Sequence, residues 1–135
     1  MLIEHVAIWT DDLERLRKFY TTYFGCRPGE LYRNPTTEFE STFLTFDGGA
    51  RLELMRMPSI PDNQNDPLIQ YKGLIHFAIS AANREEVVGV TERLRRDGHA
   101  VAGEPRTTGD GYFESCVLDP DGNRVEIVAP EHTEG

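Results

Sequence analysis

The second half of this chain repeats the first, and no other feature restricts the fold as strongly. His5-Val6-Ala7-Ile8 is answered by His76-Phe77-Ala78-Ile79, and Arg51-Leu52-Glu53-Leu54 by Arg124-Val125-Glu126-Ile127. Between these strands the correspondence continues. Asp11 with Glu14 three residues on has the form of a helix capping box, as does Asn83 with Glu86. Leu13, Leu16, Tyr20 and Tyr23 form an apolar helical stripe that Gly25 ends, and Val87, Val90 and Leu94 form another that Gly98 ends. Glu40-Ser41-Thr42-Phe43-Leu44 reads as the counterpart of Glu114-Ser115-Cys116-Val117-Leu118. Each half is therefore a βαβββ unit, and the expected fold is α+β, two βαβββ modules in tandem within a single domain. Module 1 covers residues 1–57 and module 2 residues 73–129. Residues 58–72, with Pro58, Pro61 and Pro67 among polar neighbours and no periodicity, read as the linker. The polar tail, residues 130–135, is expected to fray.

Composition narrows the function classes. At 135 residues the chain has ordinary domain length, and its 14 basic against 23 acidic residues leave a net charge of −9. A phosphate backbone would be repelled over most of such a surface, so no nucleic-acid partner is expected. The opening residues carry no basic segment followed by an apolar run, and no stretch is apolar for long enough to span a bilayer. The expectation is a cytoplasmic protein with no membrane partner. Cys26 and Cys116 stand in no CxxC or CxH arrangement, which argues against a disulfide framework or a thiolate metal site.

Strand alternation then sorts the polar residues. In the first strand His5 shares a face with Ala7 and Trp9 while Val6 and Ile8 point the other way, and His76, Ala78 and Ser80 repeat this against Phe77 and Ile79. In the closing strands Leu52 and Leu54, or Val125 and Ile127, face the core, which puts Glu53 and Glu126 on the histidine side. The His-to-Glu separations, 48 and 50 residues, nearly repeat. A carboxylate amid apolar strand residues is costly unless a cation or a donor meets it, and here two of them are matched to histidines. Taken singly, each histidine reads equally well as a hydrogen-bonded core residue, and each glutamate as a solvent-facing strand carboxylate. As a fourfold set at repeat-equivalent positions, His5, Glu53, His76 and Glu126 read as the ligands of one divalent metal. Nickel, cobalt, zinc, manganese and iron all suit two imidazoles and two carboxylates. His99 and His132 have no repeat partner and are left out.

The stretches IEHVAIWTDDLERLRKFYTTYFG, ARLELM, LIHFAIS and LDPDGNRVEIV resemble the vicinal oxygen chelate superfamily, that of glyoxalases, bleomycin resistance proteins and dioxygenases. The resemblance covers residues 1 to about 129. Its His, Glu, His, Glu order is similar to that of glyoxalase I, whose four metal ligands map onto His5, Glu53, His76 and Glu126. The resemblance implies a homodimer in which the first module of one chain and the second of the other complete each site. It also implies a lyase or isomerase that acts through an enediolate on the hemithioacetal of a 2-oxoaldehyde and a low-molecular-weight thiol. Glu126 is the first candidate for the base and Glu53 the second. The chain departs from glutathione-using glyoxalases at Trp9 and Met57, four residues beyond His5 and Glu53, where those enzymes carry arginine and asparagine. Trp9 either walls an apolar pocket or packs under a partner subunit. Lys72 and Arg106 are candidates for anion recognition. Residues 106–112, including Tyr112, are either a loop that closes over a small-molecule substrate or a plain solvated connection. Two other readings stay open: another metalloenzyme of the superfamily, such as an epimerase or thiol transferase, and a small-molecule binding protein without chemistry.

Overall fold

A computed structural model describes residues 1–130; the expected frayed tail beyond Pro130, with His132, lies outside the described residues. The chain divides into two units, Met1–Gln64 and Asn65–Gly135. The first contains β1 (His5–Trp9), α1 (Leu13–Phe24), β2 (Arg27–Pro28), β3 (Tyr32–Arg33), β4 (Glu40–Thr45) and β5 (Arg51–Arg56). The second contains β6 (His76–Ser80), α2 (Arg84–Arg96), β7 (Val101–Thr107), β8 (Tyr112–Leu118) and β9 (Arg124–Pro130). Residues 58–72 contain no helix or strand.

The two sheets have the same plan. In the first the order is β1-β5-β4-β2, with β3 also on β4, and in the second it is β6-β9-β8-β7. The first strand of each unit runs parallel to the last, and the other pairs are antiparallel. A parallel pair cannot be closed by a tight turn; each helix lies in the long crossover that makes the pairing possible. Unit 1 departs from the βαβββ expectation in one place, where the strand after the helix is split into β2 and β3. Pro28 has no N–H to give a ladder, and Gly29 passes so near β4 that an added Cβ would lie 3.3 Å from the Phe43 carbonyl oxygen.

Both helices start on side-chain caps and stop at left-handed glycines. The first cap is Asp12, one residue later than expected, and its carboxylate accepts from Arg15 N at 3.0 Å. Asp12 falls into place because its own N–H is taken by Thr10 Oγ1 at 3.1 Å, which sets the turn. Glu14 is thereby released to pair with Arg17 rather than close a capping box. The second cap is Asn83 as expected, accepting from Glu86 N at 2.9 Å. Gly25 ends α1 at φ 67°, a conformation that a side chain would strain.

The core forms where helix meets sheet. Leu16, Phe19 and Tyr20 of α1 are buried with Leu44, Leu52 and Leu54. Phe19 replaces the expected Tyr23 at the centre of the stripe, because the helix presents the i, i+3, i+4 set beginning at Leu16. In α2 the buried set is Val87, Thr91 and Leu94, with Thr91 taking the place expected of Val90. A threonine is tolerated there because its hydroxyl reaches the Val87 carbonyl oxygen at 2.6 Å and Ser115 Oγ on β8 at 2.7 Å. Replacing Thr91 with valine is expected to destabilise the fold by about 1–3 kcal/mol, because Ser115 loses its buried partner. Adding Ser115→Ala to Thr91→Val should recover part of that loss. Urea denaturation of the single and double variants measures both effects.

Candidate functional site

The sheet order puts each histidine strand against a glutamate strand. In register, His5 lies beside Arg51 and Ala7 beside Glu53, while His76 lies beside Arg124 and Ala78 beside Glu126. Aligned residues of parallel strands share a face, so each histidine and its glutamate are diagonal neighbours on the surface opposite the helix. His5 Nε2 stands 3.5 Å from a Glu53 carboxylate oxygen, and His76 Nε2 stands 3.2 Å from one of Glu126. The structure therefore brings together His5 with Glu53 in one unit and His76 with Glu126 in the other. Among the described residues no group of three or more His, Cys, Asp and Glu side chains is gathered to hold an ion. Each pair by itself presents two donors.

The first histidine is held from several sides. Its Nδ1 is 3.0 Å from Glu4 Oε1, and Arg51 grips the same carboxylate through Nε at 2.9 Å and Nη2 at 2.6 Å. Arg51 and then His5 hold the Glu4 carboxyl down to about 2. Phe43 meets the His5 ring edge-on, with centroids 5.5 Å apart, and carries the Arg51 guanidinium 3.9 Å above its own ring. A carboxylate at Nδ1 favours the tautomer with its proton there, which leaves the Nε2 lone pair directed at Glu53. Two electron-rich atoms then face each other across 3.5 Å, an arrangement that a cation between them reconciles. These donors fit a divalent ion of borderline character.

The second pair has a different surround. Glu114 lies on the same face as Glu126, with a side-chain hydrogen bond between the two carboxyls. Burial first, and then that hydrogen bond, push the Glu114 carboxyl above its ordinary range. This placement corrects the repeat alignment. Cys116 stands opposite Glu126 and Phe43 opposite Glu53, so the counterpart of Glu114 is Ser41 and not Glu40. Glu40 points to the helix side, where it pairs with Arg56 at 3.1 Å. Shared letters had suggested the other alignment, and a slip of one residue exchanges the two faces of a strand. Sequence reasoning missed Glu4, the chain neighbour of His5, and Arg51, two residues before Glu53 on one strand, together with Phe43 and Glu114, which only register places beside a His–Glu pair.

The other expected site residues are scattered. Trp9 stands at the end of the His5 face, edge-on to Phe39 at 6.0 Å. Met57 follows β5, half-buried, its carbonyl oxygen accepting from Ile60 N. Lys72 is exposed between elements. Arg106 and Tyr112 belong to strands β7 and β8, so the loop between them is only residues 108–111, shorter than expected. Arg106 lies opposite Glu114 in register and partly offsets the upward push on that carboxyl. A separate cleft of about 730 Å³ opens on the helix side of unit 1, between the start of α1 and the Pro28–Leu31 region. It includes neither His5 nor Glu53, and its charged lining is largely paired within itself, as Glu14 with Arg17 and Glu40 with Arg56.

The raised Glu114 carboxyl has a thermodynamic consequence. A carboxyl whose folded value is raised binds its proton more tightly in the folded state, so its contribution is lost as pH rises above the ordinary value of 4.5. Glu114→Gln keeps a donor toward Glu126 and cannot ionise. In chelator-treated protein, the melting temperature of the variant relative to wild type is expected to rise as pH increases from about 4.5. A calorimetric difference that stays constant with pH would contradict the upward push on Glu114.

The chain matches the model of the Glyoxalase/Bleomycin resistance protein/Dioxygenase superfamily over residues 2–127. It is 26% identical over 137 residues to the lactoylglutathione lyase of Haemophilus influenzae, covering 98% of this chain and 96% of that protein. It is 29% identical over 128 residues to a lactoylglutathione lyase of Arabidopsis thaliana, covering 92% of this chain and 42% of that one. The chain spans less than half the length of this plant relative and of another from Brassica oleracea, a putative lactoylglutathione lyase. Among solved structures, a glyoxalase/bleomycin resistance/dioxygenase domain from Frankia superposes with a TM-score of 0.79 at 18% identity, covering 96% of this chain and 98% of that one. Glyoxalase I of Leishmania major superposes with a TM-score of 0.74 at 23% identity, covering 96% and 86%. Two sheets of repeated topology, each with its parallel first-to-last strand pair, and a family match over nearly the whole length lead to one conclusion: this chain belongs to the glyoxalase/bleomycin resistance protein/dioxygenase superfamily.

Proposed function

We propose that the protein is a divalent-metal-dependent, glyoxalase-like lyase or isomerase acting on the hemithioacetal of a 2-oxoaldehyde and a small thiol, or on a closely similar substrate. The observation that carries this reading is the repetition of one local geometry, a histidine Nε2 facing a glutamate oxygen at 3.5 Å in one unit and 3.2 Å in the other. His5, Glu53, His76 and Glu126 are the proposed ligands. Superfamily membership and the relatives that carry the lyase name support the reading. A cytoplasmic homodimer, in which the first pair of one subunit meets the second pair of its partner, is part of the same proposal.

A divalent ion held by these four side chains would supply a Lewis acid for negative charge developing on two adjacent substrate oxygens. The chain's own residues do the rest. His5 is kept in the ligating tautomer by Glu4, with Phe43 fixing the plane of its ring. Glu126 takes the proton from the carbon next to the carbonyl and returns it to the neighbouring carbon. Glu126 suits this work better than Glu53 because a second carboxyl, Glu114, stands on its face and is pushed above its ordinary range. Glu53 has the His5 side and no second carboxyl of that kind in register, since Ser41 takes the Glu114 place. Trp9 and Met57 offer no charged group for a glutathione carboxylate, so the thiol is proposed to be a different one.

Protein prepared without chelator is expected to carry close to one metal per pair of His–Glu sites, lost on dialysis against chelator and regained from nickel, cobalt or zinc. It should isomerise methylglyoxal with a thiol other than glutathione. Glu126→Gln is expected to keep metal while turnover falls by about 10²–10⁴-fold, the usual worth of a positioned general base. Metal analysis with an absorbance assay measures both. Full turnover in that variant removes Glu126 as the base, and protein that takes up no metal at all returns the chain to the non-catalytic binding reading.

A further inference from the structure

The face that carries His5 and Glu53 continues past them into a group of aromatic rings. Met55 is the next residue on that face of β5 after Glu53, and in register it lies beside Trp9 on one side and Ser41 on the other. Tyr32 stands opposite Ser41 on the outer strand. Phe39, just before β4, closes the group: it meets Trp9 edge-on at 6.0 Å and Tyr32 at 6.2 Å. Three rings thus gather at one end of the face. Trp9 keeps 40% of its surface exposed and Tyr32 56%, so these rings are outside the core made with α1.

The fold does not require them. The residue equivalent to Trp9 in the second unit is Ser80, at the end of β6 in the same pairing, and that of Met55 is Val128. The repeated topology closes equally well on a serine. Nor does the neighbouring strand offer the rings a cation. Arg56, the residue after Met55, is turned to the helix side, where it donates to Glu40 and to the Asp11 carbonyl oxygen. A charged tail placed here would find no partner from that strand, whereas an apolar one would remove ring surface from water.

Distance supplies the connection to the site. One same-face step along a strand is about 7 Å, so a ligand anchored beside Glu53 extends over Met55 and Trp9 with the length of a single aryl ring. We propose that Trp9, Phe39 and Tyr32, with Met55 beneath them, form the specificity subsite for a flat apolar group. The site then selects substrates that carry an aryl or comparably planar apolar end next to their two metal-seeking oxygens. This rests on the proposed metal reading at His5 and Glu53, and it goes beyond that reading by naming the substrate class.

Trp9 is the one tryptophan in the chain, so indole emission reports on this cluster alone. The test titrates zinc-loaded protein with benzohydroxamate and acetohydroxamate, which share a head with two adjacent oxygens and differ in bearing a phenyl or a methyl group. Benzohydroxamate is expected to quench Trp9 emission and to bind about tenfold more tightly, the scale of an aromatic contact plus the apolar area that it buries. In Phe39→Ala, followed by the same emission, and in Trp9→Ala, followed by calorimetry, that preference should fall to about threefold or less. Equal affinities in wild type, or a preference unchanged in both variants, overturns the subsite and leaves the metal reading standing. If Trp9→Ala turns a dimer into a monomer in sedimentation while the preference persists, the rings serve a second copy of the chain and the proposal is overturned. Failure of both hydroxamates to bind overturns the metal reading and this one with it.

Discussion

The parallel pairing of the first strand of each unit with its last governs the rest of the architecture. It requires a crossover, and the crossover contains the helix; the helix takes one face of the sheet and so leaves the other to the histidines, the glutamates and their neighbours. It also lays residues far apart in sequence side by side, so that Ala7 lies beside Glu53 and Ala78 beside Glu126. The small alanines leave room above the sheet for the histidine and glutamate to lean toward each other. Nothing local would bring such residues within hydrogen-bonding range.

The two pairs share a geometry but not a surround, and the difference arises from single positions. Opposite Glu53 the neighbouring strand offers Phe43, and beside it Arg51 bridges to Glu4, so the histidine is boxed by an aromatic edge and a carboxylate. Opposite Glu126 it offers the buried thiol of Cys116, and diagonal to that a second carboxyl. One face therefore grades into aromatic rings and the other into charge. The copies of this duplicated fold have thus kept the His–Glu geometry while their surroundings diverged.

Much of the fold was legible along the chain. Alternation of Val6, Ile8, Leu52 and Leu54 with polar partners assigned the faces correctly, and the glycine stops and the Asn83 cap fell where expected, because each depends on interactions within a few residues. Errors arose where a neighbour from elsewhere decided the outcome. Asp12 displaced Asp11 as cap because Thr10 took its N–H, and Thr91 displaced Val90 in the core because Ser115 waited on β8.

The sequence alone determined which side chains face away from the helices and that they come in two equivalent sets, His5 with Glu53 and His76 with Glu126. Period-two alternation and duplication are properties of the chain itself, and they survive without knowledge of any contact. Only the tertiary structure decided what surrounds those residues. Register is set by how whole strands dock and not by matching letters, so Glu114 rather than Glu40 stands beside a candidate base, and Phe39 and Tyr32 gather with Trp9. A slip of one residue reverses every side chain of a strand, and the energy that forbids the slip lies in the buried packing of Leu44, Val117, Val125 and their neighbours, far from the site that it places.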